Sequence, residues 1–220
     1  MPELIDLSHD IEDGLITYPG LPGPLISLHL DRVTSRSRYA PGTEFQIDRI
    51  SMVGNTGTYL DSPRHRYADG ADLASLSLTH LADLDGVVIR YPFARGLSIG
   101  ADAFSEVGVA GRAVLVHTGW SARWRTHGYF ESHPHLTEDA ATLLATEGAS
   151  LVGIDSLNID ATTTGARPAH SILLAAGIPI VEHLRGLDQL PDSGFRFFAV
   201  PPKVRNFGTF PVRAFAIVPQ

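Results

Sequence analysis

The chain has 220 residues, 44% of them hydrophobic and 19% charged, with a formal net charge of -7. Such a composition can bury a core large enough to offset conformational entropy, which excludes disorder as the default, and an acidic balance without a basic run argues against nucleic acid and anionic membrane as partners. Cysteine is absent, which excludes disulfides and thiolate metal sites, so any metal must be held by His, Asp or Glu.

The opening residues, Met1-Pro2-Glu3-Leu4-Ile5-Asp6, read as the approach to a strand over 4–8 and lack the basic start and apolar stretch of a signal peptide. No apolar run reaches the roughly 18 residues of a membrane span. The expectation is a cytoplasmic protein. Tyr18-Pro19-Gly20-Leu21-Pro22-Gly23-Pro24 reads as an ordered loop placed to cover a site. Short apolar or alternating runs over 45–53, 86–91, 113–117, 151–154, 178–181, 195–200 and 212–218 predict further strands.

Between them the pattern predicts helices. Thr137 is an N-cap candidate, Glu138 and Asp139 suit the positive end of a helix dipole, and Gly148 ends the segment. A second helix runs from about Pro168 to Ala176 and stops at Gly177. Helical segments are also expected over 73–84 and 101–107. Strands mixed with helices predict an α/β fold with a mixed central sheet. Without a repeat or composition break, 1–220 reads as one domain.

Two segments carry chemistry. In Gly54-Asn55-Thr56-Gly57-Thr58-Tyr59-Leu60-Asp61-Ser62-Pro63-Arg64-His65, two glycines and a proline fix a turn that presents Asp61 and His65 beyond a strand. Taken alone, Asp61 reads equally as a turn or cap residue. In the second segment, His170 sits near a helix start and Glu182 just past the following strand. Helix starts and strand ends share the sheet edge where open α/β structures build sites.

Together these segments resemble the cyclase family, which includes bacterial kynurenine formamidases and isatin hydrolases. That family's first motif reads His-x-Gly-Thr-His-x-Asp-x-Pro-x-His, and this chain keeps Gly57, Thr58, Asp61, Pro63 and His65 while placing Asn55 and Tyr59 at two histidine positions. The downstream His and Glu match as His170 and Glu182. Blocks around His117-Thr118-Gly119-Trp120, Gly153 to Asp160, and Pro211-Val212-Arg213-Ala214 follow in order.

The resemblance implies a swivelling β/β/α domain, assembled as a homo-oligomer (dimer or tetramer), that hydrolyses an amide, formamide or lactam bond of a small cyclic or aromatic substrate. It implies Asp61, His170 and Glu182 as metal ligands and His65 as general acid/base. With Asn55 and Tyr59 in place of two imidazoles, one divalent ion, zinc or manganese, is expected rather than two, and a metal-free protein is the alternative. Tyr59 is then expected to turn its hydroxyl inward as a second catalytic group, with Asn55 and Tyr18 contacting substrate. Rival readings are a cyclase or dehydratase using His65 and Tyr59, and a non-catalytic binding protein on the same scaffold.

Outside these segments, Asp155 and Asp160 read as turn or His-orienting acids. His133 and His135 read as an exposed loop rather than a metal pair. Trp120, Trp124, Tyr129 and Phe130 supply either an apolar wall or a subunit contact.

Overall fold

The computed structural model describes residues 1–219; Gln220, the last residue of the expected domain, lies outside the described residues. In chain order the strands are β1 Glu3–Asp6, β2 Leu25–Leu30, β3 Ile47–Ser51, β4 Tyr59–Asp61, β5 Leu84–Arg90, β6 Ser98–Ile99, β7 Ala113–His117 and β8 His135–Leu136. They continue with β9 Leu151–Ile154, β10 Ile180–Glu182, β11 Ser193–Phe198, β12 Thr209–Pro211 and β13 Phe215–Val218, and the α-helices are α1 Arg32–Ser35, α2 Glu138–Thr146 and α3 Pro168–Ala175.

Nine strands form one mixed sheet in the order β1-β13-β11-β5-β7-β9-β10-β4-β12. Strands β5, β7, β9 and β10 are parallel, and antiparallel strands flank them on both sides. Since β12 is the last strand at one end of this order and β13 lies next to the other end, the short link 212–214 requires the sheet to curl back on itself.

Period-2 alternation divides the core. Inside the curl lie Leu60, Leu115, Leu151, Val181, Phe195, Phe197 and Ala216. On the outer face Val114, Val116, Val152 and Ile154 meet Ala140, Ala141 and Leu144 of α2 and Ala169, Leu173 and Leu174 of α3. Glycine at 153 leaves room for two leucines: a Cβ there would lie 2.7 Å from Leu184 Cδ1 and 2.9 Å from Leu115 Cδ2 and would push them aside.

The α/β expectation with a mixed sheet holds. The helix expected over 73–84 does not form; only a 3-10 turn, Leu78–His80, is present. The reason is local competition: the Asp72 carboxylate accepts the Ser75 N–H at 2.9 Å and the Ser77 hydroxyl accepts that of Thr79, holding the backbone in turns. Residues 101–107 likewise yield a 3-10 turn over Ala101–Phe104. The strand expected over 212–218 forms only from Phe215, as β13, because 212–214 carry the chain from the end of β12 at Pro211 across to the other side of the sheet.

Candidate metal centre

Register builds the site. Strand β4 pairs antiparallel with β10 so that Tyr59 faces Glu182 and Asp61 faces Ile180, while on its other side Thr209 of β12 faces Asp61. Alternation places Tyr59 and Asp61 on one face and sends Leu60, opposite Val181, to the inner core. The start of α3 brings His170 to the same place.

The three acidic and basic groups converge. His170 Nε2 lies 3.6 Å from Asp61 Oδ2 and 3.6 Å from Glu182 Oε1. His170 Nδ1 is 2.7 Å from Asp160 Oδ2, and the same carboxylate accepts the backbone N–H groups of Ala169 and His170. That bond holds the ring by its Nδ1–H and points the Nε2 lone pair at the two carboxylates. Asp61 and Glu182 are fully buried, and Asp61 Oδ2 has no hydrogen-bond partner.

Such a cluster demands positive charge. Burial pushes the Glu182 carboxyl up to about 7, with His170 opposing and the Asp61 charge adding to the rise. Burial lowers the affinity of His170 for a proton, yet its hydrogen bond to Asp160 and the nearby carboxylates of Asp61 and Glu182 outweigh that and raise it to about 10. Ligand atoms around a four-coordinate zinc lie about 3.3–3.6 Å apart, so the orphaned Asp61 Oδ2 and His170 Nε2, 3.6 Å apart, are spaced to share a divalent ion, with Glu182 Oε1 3.6 Å from the same nitrogen.

His65 approaches from the other side of Asp61. Its Nδ1 is 2.7 Å from Thr209 Oγ1 and 3.5 Å from Asp61 Oδ1. Ligand-capable atoms of Asp61, His65 and His170 all lie within 4.8 Å of one another. Thr209 donates its hydroxyl proton to Asp61 Oδ1, so the proton between Thr209 and His65 must come from His65 Nδ1. In the neutral ring the lone pair is thereby left on Nε2. A Cβ on Gly208 would lie 2.7 Å from His65 N, so only glycine lets β12 approach closely enough for this contact.

Tyr59 turns inward as expected, but its proton is committed. Its hydroxyl donates to Glu182 Oε2 at 2.6 Å, and His183 Nε2 lies 3.4 Å from the phenol oxygen. His183 Nδ1 is 2.8 Å from the Tyr129 hydroxyl, completing a buried string of four side chains. Burial, then the charges of Glu182 and Asp61, push the Tyr59 phenol well above its usual range and keep it a neutral donor.

A cavity of about 510 Å³ opens onto this centre, lined by Tyr18, Asn55, Tyr59, His65, His170 and Glu182 among others. Tyr18 also packs against the aromatic cluster of Trp120, Trp124, Tyr129 and Phe130, which stands behind the cavity. Asp155 is held in a turn by the N–H groups of Thr118 and Gly119. His133 is not exposed as expected: it is 2% accessible, its Nε2 lying 3.0 Å from the Asp160 carbonyl.

Sequence reasoning missed Thr209 and His183. Thr209 stands two residues before the recognised Pro211-Val212-Arg213-Ala214 block, and His183 directly follows Glu182, but adjacency alone assigns neither a partner. His183 adopts a left-handed backbone, φ 57°, where its carbonyl accepts the Thr58 hydroxyl at 2.6 Å.

Residues 5–161 match the family model described as putative cyclase. The kynurenine formamidase of Geobacillus thermodenitrificans is 28% identical over 216 residues, covering 96% of this chain and 95% of that protein. A crystal structure of an isatin hydrolase bound to the product analogue thioisatinate superposes with a TM-score of 0.82 at 24% identity, covering 100% of this chain and 93% of the other. A solved structure described as a potential metal-dependent hydrolase with cyclase activity gives 0.80 at 26% identity, with both chains covered fully.

Proposed function

The chain belongs to the cyclase family, and from that premise we propose that it is a metal-dependent hydrolase of an amide, formamide or lactam C–N bond in a small cyclic or aromatic compound. The observation that carries this reading is the convergence of Asp61, His65 and His170 on one point, with Asp61 Oδ2 unpartnered and Glu182 3.6 Å from His170.

A bound zinc or manganese ion supplies Lewis acidity and a more acidic water. Asp61, His170 and Glu182 would hold it. His65 Nε2 takes a proton from the attacking water and returns it to the departing nitrogen, with Thr209 fixing the tautomer that makes this possible. Tyr59 orients Glu182 through its hydrogen bond rather than serving the substrate directly. Tyr18 and Asn55 contact the substrate, and Tyr18 offers a face for a planar ring.

The β2–β3 hairpin pairs its strands with each other and exposes Leu25, Leu28, Ile47 and Ile50. This apolar arm supports a homo-oligomeric assembly, dimer or tetramer, in which another copy covers it.

Elemental analysis of protein purified without chelator, together with turnover of N-formyl arylamines and isatin, tests the assignment. About one zinc or manganese per chain, with activity lost in His65→Ala but metal retained, is expected. Absence of both metal and turnover overturns it.

A further inference from the structure

Six arginines, at 36, 90, 112, 125, 196 and 213, pair with carboxylates of the protein itself. Two that line the cavity, Arg66 and Arg167, have no carboxylate partner among the described residues. Of the ten arginines without such a partner among the described residues, these two are set apart by their place on the wall of a cleft that also holds buried acids.

Arg66 is exposed but tethered. Its Nε donates to Ser171 Oγ at 3.2 Å, and its guanidinium carbon sits 5.3 Å from the centroid of the Tyr67 ring. The Tyr67 hydroxyl in turn donates to the Ser171 carbonyl at 2.8 Å, so the same turn of α3 anchors both. These contacts hold the guanidinium by its Nε and one face and leave both terminal nitrogens open. Arg167 differs: one terminal nitrogen donates to the carbonyls of Ala161, Thr164 and Ala166, which ties down the loop at the mouth. Arg66 is therefore the better-presented fork.

Resting on the hydrolase assignment above, we propose that Arg66 is a specificity-determining residue that anchors a carboxylate substituent of the substrate at the mouth of the cavity. A planar guanidinium matches a carboxylate by two parallel N–H bonds, and pre-organisation by Ser171 and Tyr67 reduces the entropy lost in forming them. The substrate class is then an anionic aromatic amide, its ring against Tyr18 and its scissile carbonyl toward His65.

The test compares two formamides that differ in one group, 2-formamidobenzoate and formanilide, on the metal-loaded protein. Wild type is expected to favour the carboxylate probe by about tenfold or more in kcat/KM, mainly through KM. Arg66→Gln should collapse that ratio to within about twofold, and Arg66→Lys should restore part of it. A wild type that treats both probes alike, or an Arg66→Gln protein that keeps the preference, overturns the anchor while leaving the hydrolase assignment standing. If neither probe is cleaved, the hydrolase assignment is what fails. The anchor is then judged by calorimetry with benzoate and benzamide: benzoate affinity lost about tenfold in Arg66→Gln, with benzamide little changed, supports it. Equal affinities in the two proteins overturn it.

Discussion

Tyr59 donates its phenolic proton to Glu182 Oε2 at 2.6 Å, across a strand pair in which the two residues are register partners. This bond binds a residue that departs from the family motif to one that keeps it. Removing the hydroxyl in Tyr59→Phe leaves Glu182 Oε2 with only the Asn158 amide at 3.4 Å. Chemical denaturation should show a loss of about 1–3 kcal/mol, while metal content stays near one ion per chain. Loss of the metal instead would make the phenol a ligand.

Asn55 and Tyr59 stand where the family motif has imidazoles. The double change Asn55→His with Tyr59→His returns those two ligand types to the cavity wall, and the metal stoichiometry should rise from about one toward two. A folded double variant with unchanged stoichiometry would falsify the view that these substitutions set the ion count.

Thr209 links Asp61 to His65 by a hydrogen bond to each. Thr209→Val keeps the shape but removes both bonds, so kcat should fall by about 10–100-fold with metal retained, and Thr209→Ser should recover most of it. A Thr209→Val enzyme within twofold of wild type would remove Thr209 from the account.

His9 stacks on Trp124 with ring centroids 4.1 Å apart, and its Nε2 is buried without a partner. Burial, then the charges of Arg185 and Arg125, hold its pKa down at about 4. The unfolded chain takes up this proton near 6.5. The stabilising contribution is therefore complete above about pH 6.5 and is lost as pH falls toward about 4, because the unfolded state binds the proton first. His9→Gln should flatten the decline in Tm over that window. An unchanged slope in a folded variant would show that His9 is not buried as a neutral ring.

The sequence by itself picked out the two segments whose side chains meet at the cavity. Gly57, at φ 65°, and Pro63, which opens a 3-10 turn, bracket strand β4 and its last residue Asp61 by local backbone demands, and Ala113–His117 and Leu151–Ile154 are strands at the predicted bounds because both faces are buried and apolar. Helix α3 was legible from Pro168 and Gly177, which act within one turn of the chain. Local signals misled over 73–84, where regularly spaced leucines mimic a helix but Asp72 and Ser77 capture the backbone N–H groups. What only the tertiary structure decided is how groups far apart in sequence meet: Thr209 against Asp61, 148 residues away, and His183 against Tyr59, 124 away. Strand register set those meetings, and register depends on which faces the curled sheet must bury. It also settled where the Tyr59 proton goes, since a phenol's direction follows from its nearest acceptor, and that acceptor lies on a different strand.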